Sequence, residues 1–158
     1  MGVEPYSQQK EARQKNESLL LRDIWRNAPL TKAMLAERNG LTKATVSSIC
    51  RDLTTRGLIR NVGQDRSGLG RPGDLIELIP SARASIGVEI STNFTAAVLT
   101  DLCGQSLWQH SIPVEIGCPQ EVFIAHVEGL IGLAIDQAHT NGIPLLGIGV
   151  GVPGVVNH

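Results

Sequence analysis

Apolar residues between positions 16 and 57 return every three or four places, while those after position 84 alternate or run together, so the chain passes from a helical period to a strand period. Leu20, Leu21, Ile24 and Trp25 predict a first helix that starts at a capping Asn16 and is closed by Pro29. Leu35 and Ala36 mark a short second helix, capped by Thr31 and ended by Gly40, which accepts the positive φ of a tight corner without strain. Val46, Ile49, Cys50 and Leu53 stand at i, i+3, i+4 and i+7, the buried stripe of a third helix that begins at Thr42 and stops before Gly57. Ala36 lets the two helices approach, and Leu35, Val46 and Ile49 fill the angle between them. Residues 31–57 therefore read as a helix-turn-helix.

At roughly 100° per residue, Ala44, Ser48, Arg51 and Thr55 face away from that stripe, flanked by Thr45 and Ser47. This face is small, polar and partly cationic. Short side chains permit close approach to a major groove, hydroxyls bond base edges or phosphates, and an arginine can grip guanine O6 and N7. The competing reading is a solvated face on an ordinary three-helix domain, but such faces usually carry more Glu and Lys. The DNA-reading candidates are Thr45, Ser47, Ser48 and Arg51, with Lys43 at the helix start placed for a phosphate.

Leu58, Ile59 and Val62 predict a short strand, residues 63–73 a glycine-rich loop, and Leu75, Ile76, Leu78 and Ile79 a returning strand, which together make a wing. In the loop, Arg71 lies between Gly70 and Pro72. An extended Gly-Arg-Pro can enter a narrow minor groove whose negative potential attracts arginine, so Arg71 joins the DNA-contact candidates against the alternative of a solvated hairpin tip.

After a junction at residues 80–84, residues 84–90, 95–100 and 106–114 read as strands, with a turn at residues 101–104. A helix follows from Pro119 to about Asn141-Gly142. The apolar run at residues 145–152 has the composition of an interior strand and is stopped by Pro153-Gly154. Three strands, a long helix and a further strand form an α/β unit, so the chain as a whole is α+β.

Charge sharpens this division. All 14 Lys and Arg residues lie at or before Arg83, where nine acids leave a net +5; the remainder carries six acids and no Lys or Arg, a net −6. A polyanion would be attracted by the first part and repelled by the second. Cys50, Cys103 and Cys118 lack the spacing of a disulfide framework or zinc site, Cys50 reads as a small core residue, and the four histidines show no metal-ligand spacing. Neither a membrane-spanning run nor a secretory signal pattern is present, so a reducing cytoplasm is the default. Residues 1–15 are polar and read as a mobile arm; a contact to DNA backbone is weighed there, and a tail without a role is preferred.

The Gly70-Arg71-Pro72 loop, the Ile86-Gly-Val-Glu-Ile90 strand and the Gly147-Ile-Gly-Val-Gly-Val-Pro-Gly154 segment, in that order, resemble the ROK family of repressors and sugar kinases, specifically its transcriptional regulators. The resemblance covers about residues 16–156. It implies a winged helix-turn-helix at residues 16–80 followed by the first part of an actin-like, ribonuclease-H-like sugar-binding domain at residues 84–158. It also implies a sequence-specific regulator, a repressor of carbohydrate-metabolism genes, with a double-stranded operator as partner and a sugar as effector of a full-length relative. Each recognition helix spans only a few base pairs, so a homodimer on an inverted repeat is expected.

The rival within the family is a sugar kinase with an extra N-terminal module. Kinases of the family carry an Asp-x-Gly-Gly-Thr loop, whereas the aligned positions here are Glu89, Ile90, Ser91, Thr92 and Asn93. Phosphate cradling needs backbone N–H groups unobstructed by side chains, so losing both glycines argues against ATP. No catalytic residue, cofactor or metal is assigned, and Glu89 reads as a structural strand-end residue. Family regulators continue into an Asn-Asp segment and a Cys/His zinc site, so the resemblance implies that this chain is a fragment of a longer reading frame.

Overall fold

The computed structural model describes residues 5–66, 72–115 and 117–153 of the 158. The chain divides into two compact units, Met1–Ile79 and Pro80–His158.

The first unit is three helices and a three-stranded sheet. Helix α1 (Pro5–Asn27) leads through a two-residue strand β1 (Leu30–Thr31) to α2 (Lys32–Asn39) and α3 (Lys43–Thr55), then to the antiparallel pair β2 (Ile59–Asp65) and β3 (Gly73–Leu78). Spatial order in the sheet is β1-β3-β2. Leu20, Ile24, Leu35, Val46, Ile49, Leu53 and Ile59 are buried almost completely, with α1 and α2 lying against β3 and α3 against β2. Burial of that kind contributes about 1.5–3 kcal/mol per large side chain.

Local chemistry sets the helix ends. The Thr31 hydroxyl accepts from the Met34 amide at 3.2 Å, capping α2. At its far end Gly40 takes φ +63°, and the Leu41 amide returns to the Ala36 carbonyl at 3.0 Å. Gly57 closes α3 in the same way, at φ +66°, with Leu58 N–H donating to the Leu53 carbonyl at 2.9 Å.

In this unit three expectations need correction, and one strand was not foreseen. Helix α1 begins at Pro5, not at Asn16, so most of the stretch expected to be a mobile arm is helix. Trp25, expected in the core, is 54% exposed beneath the Arg26 guanidinium, 6.0 Å from the ring centre. Strand β2 runs on through a bulge at Asn61/Gly63 to Asp65, where a loop was expected from Gly63. Strand β1 had no counterpart in the sequence reading; it pairs Leu30 with Ile76 and Thr31 with Leu75.

The second unit is a four-stranded sheet with one long helix. Its strands are β4 (Ala84–Ile90), β5 (Phe94–Asp101), β6 (Ser106–Pro113) and β7 (Leu145–Gly151), in the order β6-β5-β4-β7, and α4 (Gln120–Thr140) joins β6 to β7. Among the described strands β4 and β7 form the parallel pair, as the helical crossover requires. Ala84, Ile86 and Val88 of β4, with Ala97 and Leu99 of β5, pack against Leu130, Ala134 and Ala138 of α4. The run expected to be an interior strand is different: β7 pairs with β4 alone among the described strands, and Leu146, Ile148 and Val150 are 44–61% exposed.

Candidate nucleic-acid interface

The outward face of α3 is held by the core beneath it and by the cap at its start. Thr42 accepts from the Thr45 amide at 3.1 Å, while Val46, Ile49, Cys50 and Leu53 anchor the opposite side. Burial pushes the Cys50 thiol above its usual range, with nearby Lys32 opposing, as befits a packed residue rather than a reactive one. Ala44, Ser48, Arg51 and Thr55 are exposed.

The individual candidates differ in freedom. Lys43 and Arg51 are exposed and enter no ion pair among the described residues. Ser47 is half-buried. Thr45 is also half-buried, and its hydroxyl lies 2.9 Å from that of the capping Thr42, so cap and candidate share a hydrogen bond. Ser48 is exposed, and its hydroxyl accepts from Arg13 Nη1 at 3.3 Å. Arg71 and the rest of residues 67–71 lie outside the described residues.

The acid on this helix is compensated. Asp52 lies 3.7 Å from the Arg13 guanidinium and 3.8 Å from that of Arg56, which also pairs with Glu17. Arg13 went unrecognised in the sequence because it falls in a stretch with no apolar period to place it on a helix. Its contacts with Ser48 and Asp52 bring it to the edge of the face formed by the candidates.

Away from α3, α1 and α2 are tied by a denser polar cluster. Arg38 grips the Asp23 carboxylate through three hydrogen bonds of 3.0–3.1 Å, and the Asn27 and Asn39 amides each donate to it at 2.8 Å. The Arg38 guanidinium, helped by the two amides and opposed by burial, holds the Asp23 carboxyl below its ordinary 3.8; the same pair raises Arg38. This cluster fixes α2, on which the corner into α3 depends.

In the second unit, the segment aligned with the kinase loop closes on itself. Glu89 and Ile90 end β4, the Ser91 amide donates to the Phe94 carbonyl at 2.9 Å, and the Ser91 hydroxyl donates to Asn93 Oδ1 at 3.3 Å. No residue there supplies the glycine-type positive φ of a phosphate cradle. A hollow of about 790 Å³ opens on the sheet beside Gly87, Glu89, Val98, His110, Ser111 and Gly149. Among the described residues no three His, Cys, Asp or Glu side chains converge as a metal would need, and no helix is long and apolar enough to cross a membrane.

Comparison with known proteins agrees with this geometry. Residues 15–67, from the middle of α1 past the end of β2, match the MarR family. The chain is 32% identical over 142 residues to the xylose repressor of Bacillus spizizenii, covering 90% of this chain and 37% of the repressor. It is 29% identical over 147 residues to the DNA-binding transcriptional dual regulator NagC of Escherichia coli, covering 92% and 36%. In fold it matches the crystal structure of a ROK family transcriptional regulator, a homologue of the Escherichia coli MLC protein, with TM-score 0.70 at 19% identity over 92% of this chain and 37% of that one. The chain thus spans a little over a third of the length of the curated relatives it matches. Along nine tenths of its sequence the chain is similar to a xylose repressor and to NagC, and its fold is that of the ROK family transcriptional regulator.

Proposed function

We propose that this chain reads double-stranded DNA through α3 and acts in the cytoplasm as a sequence-specific transcriptional regulator, a repressor of carbohydrate-metabolism genes, with no catalytic activity of its own. Residues 16–80, together with the turns of α1 that precede them, carry DNA binding; residues 84–158 form part of an actin-like domain, whose effector in a full-length relative is a sugar. Lys43 takes a phosphate at the start of α3, Thr45, Ser47, Ser48 and Arg51 meet bases or phosphates, and Arg71 reaches a flanking minor groove. Two copies bind an inverted repeat.

One observation carries this reading: α3 buries every large apolar side chain it owns and turns outward an arginine with no ionic partner among the described residues. An unpaired arginine among small side chains is what a guanine edge or a phosphate demands. Names of the relatives agree, since they are a xylose repressor and a DNA-binding regulator.

The test is selection of binding duplexes from a randomised pool, then titration of the recovered duplex with wild type and Arg51→Ala. A symmetric consensus is expected, with Arg51→Ala binding about tenfold or more weakly. Failure to enrich any duplex at low ionic strength would overturn the proposal.

A further inference from the structure

The DNA-reading face of α3 has a second wall. The N-terminal turns of α1 run beside it, and between the two helices lies a groove lined by Gln9, Ala12, Arg13 and Asn16 on one side and Thr45 and Ser48 on the other, over Ile49. Arg13 spans this groove. Its Nη1 donates to the Ser48 hydroxyl at 3.3 Å and its Nη2 lies 3.7 Å from the Asp52 carboxylate, while nearly half of the side chain stays in solvent.

Two consequences follow from elementary hydrogen-bond chemistry. A serine hydroxyl has one proton and two lone pairs; when Oγ accepts from a guanidinium, its proton is left to be donated elsewhere. Ser48 is thereby biased toward acceptors on DNA, such as purine N7, guanine O6, thymine O4 or a phosphate oxygen, and away from the exocyclic amino groups. Arginine also has five N–H donors, and the Ser48 bond uses one. The remaining donors sit at the edge of the proposed interface, beside an acid that would otherwise repel phosphate.

We infer that Arg13 is a further specificity-determining residue of the interface, orienting the Ser48 hydroxyl as a donor and adding one phosphate contact from α1. This rests on the proposal that α3 reads DNA. Because Asp52 is also flanked by Arg56 at 3.8 Å, loss of Arg13 leaves the carboxylate with a cationic neighbour, so the main effect falls on DNA rather than on folding.

The experiment uses the full 158-residue chain and the duplex that wild type selects from a randomised pool, with affinity measured by fluorescence anisotropy across a salt series. Arg13→Gln is expected to weaken binding about tenfold and to flatten the slope of log affinity against log salt by about 0.9, one phosphate contact. Arg13→Lys keeps most of the slope. Ser48→Ala weakens the wild type but has little further effect in the Arg13→Gln background, and reselection with Arg13→Gln relaxes the consensus at one position. Thermal melts accompany each variant; if Arg13→Gln melts earlier, retention of slope by Arg13→Lys still separates a DNA contact from a folding role.

Unchanged affinity and slope in Arg13→Gln, with wild type still selecting a duplex, would overturn this inference and leave the DNA-reading proposal standing. Tighter binding by Arg13→Gln would also overturn it, by showing that Arg13 masks α3. If wild type enriches nothing, the underlying proposal fails and this inference falls with it.

Discussion

Helix α3 and strand β7 both leave side chains outside their own unit's core, but of opposite chemistry. On α3 the large apolar residues are all inside, and what remains outward is hydroxyl, methyl, ammonium and guanidinium, with the Asp52 carboxylate half-buried beside them. On β7 the glycines alternate with Leu146, Ile148 and Val150, of which Ile148 and Val150 pair with Ile86 and Val88 of β4, and all three are exposed among the described residues. A polar outward face needs no partner in order to be stable in water, so a partner that does bind can be exchanged. An apolar strand with an open edge is stabilised by being covered, and a surface of that kind favours lasting association. Substitutions on α3's outward face should therefore change binding while leaving folding alone, whereas substitutions on β7 should change self-association while leaving DNA binding alone.

The sharpest way to break that separation is from inside α3. Leu53→Ala removes a fully buried side chain and should cost about 3 kcal/mol of stability, lowering the melting temperature and abolishing DNA binding together. Arg51→Ala should instead lose about 2 kcal/mol of binding with an unchanged melt, because its guanidinium has no ionic partner in the described structure. Were Arg51→Ala to melt earlier, the residue would belong to the fold and the contrast with Leu53 would collapse.

Asp23→Asn tests the tie between α1 and α2. It replaces a charge-assisted cluster by neutral hydrogen bonds and should destabilise the first unit by about 1–2 kcal/mol near neutral pH. The sign of its pH dependence is determined. Because the folded-state carboxyl is held below its ordinary 3.8, the stabilisation is complete above that value and is lost as pH falls through the lower, folded-state value. Melts of wild type and Asp23→Asn should converge on acidification below 3.8; a gap that widened there would contradict the assignment.

Smallest is the effect expected on β7. Ile148→Thr with Val150→Thr should shift the melt by no more than about 0.5 kcal/mol, since both side chains are already largely solvated. Sedimentation should show less self-association, and affinity for the selected duplex should stay the same.

How much of this was legible in the sequence depends on how local each cause is. The buried stripe of α3, its Thr42 cap and its Gly57 stop are set within a few residues of one another, and period and cap chemistry suffice to read them. Residues 8–15 of α1 are also locally determined, but by helix propensity rather than by pattern: Gln8, Gln9, Lys10, Glu11, Ala12 and Arg13 all favour helix while offering no apolar period. Reading period alone missed them, and Arg13 with them. Strand β1 is two residues long and exists only because β3 lies alongside, so nothing in Leu30-Thr31 announces it. Trp25 fitted the helical period yet lies outside, because a stripe four residues wide exceeds what α2, α3 and β3 cover. For β7, composition reports that a strand is apolar, not whether neighbours cover it.

The most direct measurement is the change in backbone amide resonances on titrating the labelled chain with its selected duplex. The account predicts the largest shifts along α3, at Lys43, Ser48 and Arg51, with smaller ones on α1 near Arg13 and little change in α4 and β7. Shifts concentrated in the second unit, or none on α3 at saturating duplex, would contradict it.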